Sequence, residues 1–341
     1  MVTEKHRENL KKVAEQMVAL GKGILAADES TGTIEKKFTK AGIPCTQDSR
    51  RAYRGLFFTT PGFGEFISGV ILYDETIRQS ASDGRSFVSI LQKAGVLPGI
   101  KVDQGVKEMD GSPNEKVTKG LDGLPERLKE YAKLGAKFAK WRAVITIGEG
   151  LPTDGNLRQN AKDLAAYAKD CQEAGVVPIV EPEVLMDGSH DISACRDASE
   201  RTLTALFEEL KKAGVAIDGI ILKTNMVVPA KDCPQQATPE EIAEATLGLF
   251  KKVLPKELVG QAFLSGGQSE EGATANLDAI NKRGPLPWKI SFSYGRALQN
   301  TALKTWNGKP ENVPAAQKAF LHRAKMNSLA TMGKYNSSLD E

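Results

Sequence analysis

Residues 218–223 read DGIILK, an apolar run that ends in a lysine directly before Thr224 and Asn225. A short apolar stretch bounded by polar residues predicts a buried strand, and Lys223 stands where that strand should enter a loop. Buried lysines are rare, and loss of water lowers the pKa of an amine and leaves it free to attack a carbonyl. Lys223 is therefore a candidate Schiff-base nucleophile, although a lysine that extends from a strand end into water would give the same pattern.

Seven further apolar or β-rich segments recur along the chain, and amphipathic helical stretches such as 157–174 and 197–213 separate most of them. The eight predicted strands are 23–27, 66–73, 99–103, 137–147, 176–181, 218–223, 259–265 and 288–294. Strands that alternate with helices predict a parallel sheet, and eight such units predict a closed (β/α)8 TIM barrel. An open doubly wound sheet fits less well, because no G-x-G-x-x-G follows the first strand and no Pro-, Gly- or Ser-rich linker divides the chain. We expect one α/β domain over residues 1–341.

The composition excludes several classes of protein. Hydrophobic residues make up 40% of the chain, and 46 basic residues nearly balance 43 acidic ones. The lysines are spread along the chain, which favours a local anion site over a nucleic-acid surface. The first twenty residues predict an amphipathic helix rather than a signal peptide, and no apolar run approaches the length of a membrane span. Four cysteines without disulfide or metal spacing predict free thiols in a reducing compartment, and the three histidines show no metal-ligand spacing.

Charged residues end five of the predicted strands: Asp28, Lys101 with Asp103, Lys140 with Arg142, Glu181 with Glu183, and Lys223. Residues two apart on a strand share a face, and the helix-facing side of a barrel strand is apolar, so we expect these pairs to face the interior. Opposite charges there can satisfy one another, with Lys140 as the cationic neighbour of Lys223. A purely structural ion network would explain one or two pairs, whereas a ring at successive strand ends favours an active site.

The last two predicted strands end in small residues. They are followed by Ser265-Gly266-Gly267 and by the segment SFSYGR, which contains Ser293, Gly295 and Arg296. Small residues expose backbone N–H groups, and loops at these positions commonly bind phosphate in this fold, so we expect a phosphorylated substrate.

LSGGQ at 264–268 also matches the signature loop of ABC-type ATPases, but the chain has no G-x-x-x-x-G-K-[ST]. The segments 104–123 and 148–156 are predicted to be polar loops on the same face.

Eight motifs spread over nearly the whole chain resemble the class I fructose-bisphosphate aldolases. They are GKGILAADESTGTI (21–34), GIKVDQG (99–105), GLDGL (120–124), FAKWR (138–142), PIVEPE (178–183), ILKTNM (221–226), FLSGGQSEE (263–271) and SFSYGRALQ (291–299). The resemblance implies a metal-independent lyase without a cofactor, in which Lys223 forms a Schiff base with fructose 1,6-bisphosphate. It also implies a cytoplasmic homotetramer that acts in glycolysis and gluconeogenesis, binds a sugar phosphate, and binds neither nucleic acid nor membrane.

The resemblance also implies individual roles. Glu181 would be the acid/base for carbinolamine dehydration and Asp28 would hold or deprotonate the C4 hydroxyl, while Lys140 would stabilise charge beside the nucleophile and Glu183 would orient it. The implied phosphate-binding residues are Lys37, Lys101, Arg142, Ser265, Gly266, Gly267, Ser293, Gly295 and Arg296, with Arg296 at the C1 phosphate and Lys101 at the C6 phosphate. Two positions depart from the family pattern, Lys37 in place of an arginine and Thr224 in place of a proline.

Two other functions are compatible with the sequence. A Schiff-base aldolase for another phosphorylated ketose would share Lys223, and a non-catalytic scaffold on the same barrel would need none of the four charged residues at its mouth. The preference between fructose 1,6-bisphosphate and fructose 1-phosphate is open as well. The sequence lacks the tyrosine-terminated tail of many relatives, which leaves the proton donor to the enamine open. Its last residues offer little apolar area, so we expect the segment 337–341 to dock weakly.

Overall fold

The computed structural model describes residues 3–340. Ten strands form in this part of the chain, and eight of them close into a parallel barrel in the order β1-β2-β3-β6-β7-β8-β9-β10. The strands are β1 (Gly23–Ala27), β2 (Ile67–Leu72), β3 (Leu97–Lys101), β4 (Val106–Met109), β5 (Ser112–Thr118), β6 (Phe138–Ile145), β7 (Val177–Val184), β8 (Ile221–Thr224), β9 (Gly260–Phe263) and β10 (Lys289–Tyr294). The predicted α/β barrel is confirmed.

Helices cover the outside of the barrel and connect successive strands, as a right-handed parallel sheet requires. The α-helices are α1 (Glu4–Met17), α2 (Thr31–Lys40), α3 (Gln47–Phe58), α4 (Asp74–Ile77), α5 (Phe87–Lys93), α6 (Leu124–Lys133), α7 (Asp154–Glu173), α8 (Ile192–Lys212), α9 (Pro239–Val253), α10 (Glu270–Asn281), α11 (Arg296–Trp306) and α12 (Val313–Thr331). Helices α7 and α8 begin a few residues before the predicted stretches, because Thr153 and Asp191 cap their N-termini.

The interior of the barrel is packed with side chains. Phe138 lies at its centre, and a Cβ atom on Gly69 or Gly99 would lie only 2.9 or 2.2 Å from the Phe138 ring. Glycine at these two strand positions therefore makes room for the aromatic ring. Helix α1 closes the amino-terminal end of the barrel through buried Leu10 and Met17, so the predicted amphipathic N-terminal helix packs against this interior cluster. The carboxyl end stays open to solvent.

The structure corrects three details of the prediction. Strand β3 ends at Lys101, so Asp103 lies in the loop that follows, and β8 begins at Ile221 because residues Ile217–Gly219 form a 3-10 turn. The predicted loop 104–123 contains the antiparallel hairpin of β4 and β5. Most residues of this hairpin are exposed, so its sequence lacks the apolar alternation that marks a half-buried strand.

The four cysteines carry free thiols, as expected from their spacing. Among residues 3–340, no helix combines the length and apolar character needed to cross a membrane.

Candidate active site

A cavity of about 410 Å³ opens at the carboxyl ends of the barrel strands. All the candidate residues except Lys101 and Gly267 line it. A larger cavity of about 880 Å³ lies on the opposite side, between the ends of α8 and α9, but most of its lysine and glutamate side chains are exposed. The smaller cavity is therefore the better candidate site, because buried ionisable groups converge there and the carboxyl end is where barrel enzymes place their catalytic residues.

Four buried charged side chains form a continuous row of ion pairs in this cavity. Lys223 Nζ lies 3.1 Å from Glu181 Oε1, and Lys140 Nζ lies 3.3 Å from Glu181 Oε2. Lys140 Nζ also lies 2.7 Å from Asp28 Oδ2. Two ammonium and two carboxylate groups balance, which allows all four to be at most 8% exposed. Glu181 connects the two lysines directly.

The strand order explains how Glu181 reaches both lysines. Strand β7 lies between β6, which carries Lys140, and β8, which carries Lys223. Every second residue of β7 points into the barrel. Ile179 lies in the apolar interior, and Glu181, two residues later, lies nearer the carboxyl end of the barrel. The sequence pattern predicted this placement, because a two-residue period along a parallel strand fixes the face.

Charge pairing shifts the pKa values of Asp28 and Lys140 in opposite directions. Burial opposes ionisation of Asp28, but the nearby Lys140, Lys223 and Lys101 outweigh it and lower the pKa of Asp28 to about 2. Burial also opposes the charge of Lys140, yet the Asp28 and Glu181 carboxylates raise the pKa of Lys140 well above its usual range. Lys140 is therefore a fixed cation beside the Lys223 amine, and Asp28 a fixed carboxylate.

Two predicted residues, Glu183 and Lys101, make contacts other than those expected. Glu183 pairs with Arg142 rather than with Lys140, whose partners are Asp28 and Glu181. The carboxylate of Glu183 is one pleat farther out, which places it beside the longer arginine. Lys101 Nζ is held by the Asp103 side chain at 2.7 Å and by the Asp103 carbonyl at 2.6 Å, at the edge of the site.

The predicted phosphate side of the cavity is assembled from the loop after β9 and the end of β10. Gly266 has a φ of +61°, a conformation that favours glycine, and its carbonyl accepts a 2.7 Å hydrogen bond from Arg296 Nη2. Ser293 Oγ is buried and has no hydrogen-bond partner within residues 3–340. Gly267 does not line the cavity, and a Cβ atom there would lie 2.6 Å from Lys231 Cε.

Several residues in and around the cavity were not predicted as site residues. Glu29 pairs with Lys37 and with Arg54, and Gln299 accepts a 2.8 Å hydrogen bond from Lys37 Nζ. The remaining unpredicted lining residues are Ala26, Thr33, Lys36, Lys40 and Leu264. The only available signal was the position of Glu29 directly after Asp28. Within residues 3–340, no group of three or more His, Cys, Asp or Glu side chains is arranged to hold a metal ion.

A closed (β/α)8 barrel with a buried lysine against a buried carboxylate at its carboxyl end has the features of a lysine-dependent barrel enzyme. Comparison with known proteins narrows this class. The family model for fructose-bisphosphate aldolase class-I matches residues 9–341. A probable class 1 aldolase of Xylella fastidiosa is 51% identical over 329 residues, which cover 96% of this chain and 98% of the relative. The cytosolic aldolase 4 of Arabidopsis thaliana is 53% identical over 316 residues, which cover 92% of this chain and 80% of the relative.

The solved structure of the Plasmodium falciparum aldolase superimposes with a TM-score of 0.97 at 46% identity, covering 98% of this chain and 97% of that one. The chain belongs to the class I fructose-bisphosphate aldolase family. It is a lyase that reversibly cleaves fructose 1,6-bisphosphate to dihydroxyacetone phosphate and glyceraldehyde 3-phosphate through the Schiff-base chemistry of this family, which does not depend on a metal ion.

Proposed function

We propose that Lys223 is the Schiff-base nucleophile of this aldolase and that Glu181 is its acid/base. The observation that carries the proposal is the 3.1 Å contact between Lys223 Nζ and Glu181 Oε1, two side chains that are each at most 4% exposed. A carboxyl group at this distance can take a proton from the ammonium, which frees the amine to attack the substrate ketone. The same carboxyl can return a proton to the carbinolamine hydroxyl, which leaves as water and yields the iminium.

Lys140 and Asp28 act in the next step. Asp28 accepts the proton of the C4 hydroxyl, the C3–C4 bond breaks, and its electron pair moves to the iminium nitrogen to form an enamine. Glyceraldehyde 3-phosphate then leaves. Lys140 lies 2.7 Å from the Asp28 carboxylate and keeps it ionised before the proton arrives. The enamine is protonated at carbon, and hydrolysis releases dihydroxyacetone phosphate and restores the amine.

The substrate phosphates bind at two sides of the cavity. The backbone of Ser265, Gly266 and Gly295, with Arg296 and the unpaired Ser293 hydroxyl, receives the C1 phosphate. Lys37 and Arg142 line the cavity and supply further positive charge for the rest of the substrate, and Lys101 adds its charge from the edge of the site, where Asp103 holds it. Glu183 holds Arg142 and so positions its guanidinium at the mouth.

We infer the cellular setting from the resemblance to the family. The chain acts as one catalytic domain in the cytoplasm, where it assembles as a homotetramer and takes part in glycolysis and gluconeogenesis. The cytosolic location of the Arabidopsis relatives, at 53% and 52% identity, supports this setting.

A pair of lysine variants tests the nucleophile. Lys223→Met should abolish cleavage of fructose 1,6-bisphosphate while leaving the barrel folded, because methionine fills the same space without an amine. Lys129→Met, at an exposed position on α6, is the matched control and should keep full activity. Cleavage should continue in EDTA. Retained activity in Lys223→Met, or a loss in EDTA that zinc restores, would overturn the proposal.

A further inference from the structure

The rim of the cavity contains a carboxylate shared by two cations. One oxygen of Glu29 pairs with Arg54, and the other pairs with Lys37. Arg54 is only 2% exposed and also donates a 3.1 Å hydrogen bond to the Glu29 backbone carbonyl. Lys37 is partly exposed and lines the cavity. The two partners of Glu29 therefore differ, since Arg54 is locked in the protein while Lys37 faces the space that substrate enters.

Lys37 also has contacts that do not involve Glu29. Its ammonium donates a 2.8 Å hydrogen bond to Gln299 Oε1 and lies 5.8 Å from the centre of the Tyr53 ring. Gln299 is itself fixed, because its Nε2 donates a 2.8 Å hydrogen bond to the carbonyl of Ala26 at the end of β1. The Gln299 amide and the Tyr53 ring can thus hold the ammonium at the rim while its anionic partner changes.

The charges of Glu29, Arg54 and Lys37 favour replacement of Glu29 by another anion at Lys37. Glu29, Arg54 and Lys37 together carry one net positive charge, so the group attracts an anion even while Glu29 is paired. Burial opposes the charge of Glu29, but Arg54 and Lys37 outweigh it and lower the pKa of Glu29 to about 2, so Glu29 stays ionised. When Lys37 turns to a substrate phosphate, Arg54 remains to neutralise Glu29, and no buried charge is left unpaired.

We propose that Glu29 is a positioning residue that occupies Lys37 until a substrate phosphate replaces it. This inference rests on the proposed role of Lys37 in phosphate binding. Glu29 keeps the ammonium pointed at the cavity and lowers its apparent affinity for phosphate, because phosphate binds only after the Glu29 pair opens. Lysine suits this exchange, since its compact ammonium on a flexible stem can turn from one anion to another, whereas a planar guanidinium is fixed by its bidentate fork.

A double-mutant cycle with inorganic phosphate tests the exchange. Glu29→Gln keeps the size of the side chain and an acceptor for Arg54 but removes the competing charge. Calorimetry should therefore show phosphate binding about two- to fivefold tighter, which corresponds to the energy of a partly exposed ion pair. In a Lys37→Gln background the same change should have no effect. The exposed Glu35→Gln on α2 is the matched control for a change in net charge and should leave phosphate affinity as it is.

Weaker binding in Glu29→Gln, or equal tightening with and without Lys37, would overturn the inference. If Glu29→Gln fails to fold, the unmodified protein crystallised with phosphate decides the question. Lys37 Nζ should then contact phosphate and lie beyond 4 Å from Glu29 while Arg54 keeps its contact, and Lys37 still paired with Glu29 would contradict the exchange. Borohydride trapping on Lys223 in each variant distinguishes the two proposals. An adduct on Lys223 without the expected change in phosphate affinity refutes only the role of Glu29. The absence of an adduct on Lys223 refutes the proposed nucleophile.

Discussion

Glu181 is the residue on which the proposed chemistry depends most, since one carboxylate contacts both buried lysines. Replacing it by glutamine keeps the shape but removes the group that accepts and returns protons. We expect Glu181→Gln to slow Schiff-base formation by roughly 10² to 10⁴, the usual worth of general acid/base catalysis. Rapid-quench trapping with dihydroxyacetone phosphate measures this step, and phosphate affinity serves as the control for an intact site. An unchanged rate of trapping would remove Glu181 from the mechanism.

Asp28 makes the stability of the protein depend on pH. Its pKa falls from 3.8 to about 2 on folding because Lys140, Lys223 and Lys101 outweigh the effect of burial. A lowered folded-state pKa gives stability that is present above the unfolded pKa and is lost as pH falls toward the folded value. The stability advantage over Asp28→Asn should therefore shrink by about 2 kcal/mol between pH 5 and pH 2. Urea unfolding of both proteins across this range measures it, and a constant difference would show that Asp28 is not ionised in the folded site.

Arg296 tests the assignment of the phosphate sites. Its guanidinium lies at the cavity and donates to the Gly266 carbonyl. We expect Arg296→Ala to weaken substrate binding by about 1.5 to 3 kcal/mol through loss of a charge-assisted hydrogen bond to the C1 phosphate. Fructose 1-phosphate should be affected as strongly as the bisphosphate, because it keeps that phosphate. If only the binding of the bisphosphate were weakened, the assignments of the C1 and C6 phosphate sites would have to be exchanged.

At the scale of the elements, Asn225 joins the ends of β7 and β8 to helix α8. Its Oδ1 accepts a 3.0 Å hydrogen bond from the Val184 backbone, and its Nδ2 donates to Ser199 Oγ at 3.3 Å. This amide ties the strand of Glu181 to the strand of Lys223 just beyond both residues. It therefore helps to keep the lysine and the carboxylate in register.

Asn225→Ala should lower the free energy of unfolding by about 1 to 3 kcal/mol, because the Val184 N–H is left buried without an acceptor. Schiff-base formation should also slow, since the strand ends lose their common anchor. Urea unfolding and borohydride trapping measure the two effects. A variant with native stability and native trapping would show that the strand ends are held by other contacts.

The barrel strands could be predicted because each is a buried apolar run, and the two-residue period then placed Lys140, Glu181 and Lys223 on the interior face. The hairpin of β4 and β5 could not, since most of its residues are exposed and no apolar alternation marks it. Arg54 was missed for a different reason. Helix α3 carries three arginines, Arg50, Arg51 and Arg54, and only tertiary packing makes Arg54 the buried one that holds Glu29.

At the scale of the whole molecule, the last described residues are attached more firmly than the sequence suggested. The expectation of weak docking considered apolar area alone, whereas Asp340 pairs with Arg323 at 3.0 Å and with His322 at 3.2 Å, and also accepts from the Tyr335 hydroxyl. Arg323 is only 8% exposed. Polar contacts to one carboxylate thus hold the chain end against α12.

Asp340→Ala should lower the free energy of unfolding by about 1 to 2 kcal/mol, because buried Arg323 loses its 3.0 Å carboxylate contact and keeps only longer ones, 3.3 Å to Glu271 and 3.4 Å to Thr274 Oγ1. Urea unfolding measures this loss, with the exposed Asp232→Ala as a matched control. Native stability in Asp340→Ala would restore the original expectation that the chain end contributes little.

In the proposed mechanism, this barrel breaks a carbon–carbon bond through a covalent bond to Lys223. The most direct measurement is borohydride reduction in the presence of dihydroxyacetone phosphate, followed by peptide mass mapping. Reduction of the iminium to a stable secondary amine should add one triose phosphate to the peptide that contains Lys223, and to no other lysine. An adduct on Lys140 or on any other lysine, or no adduct at all, would contradict the assignment.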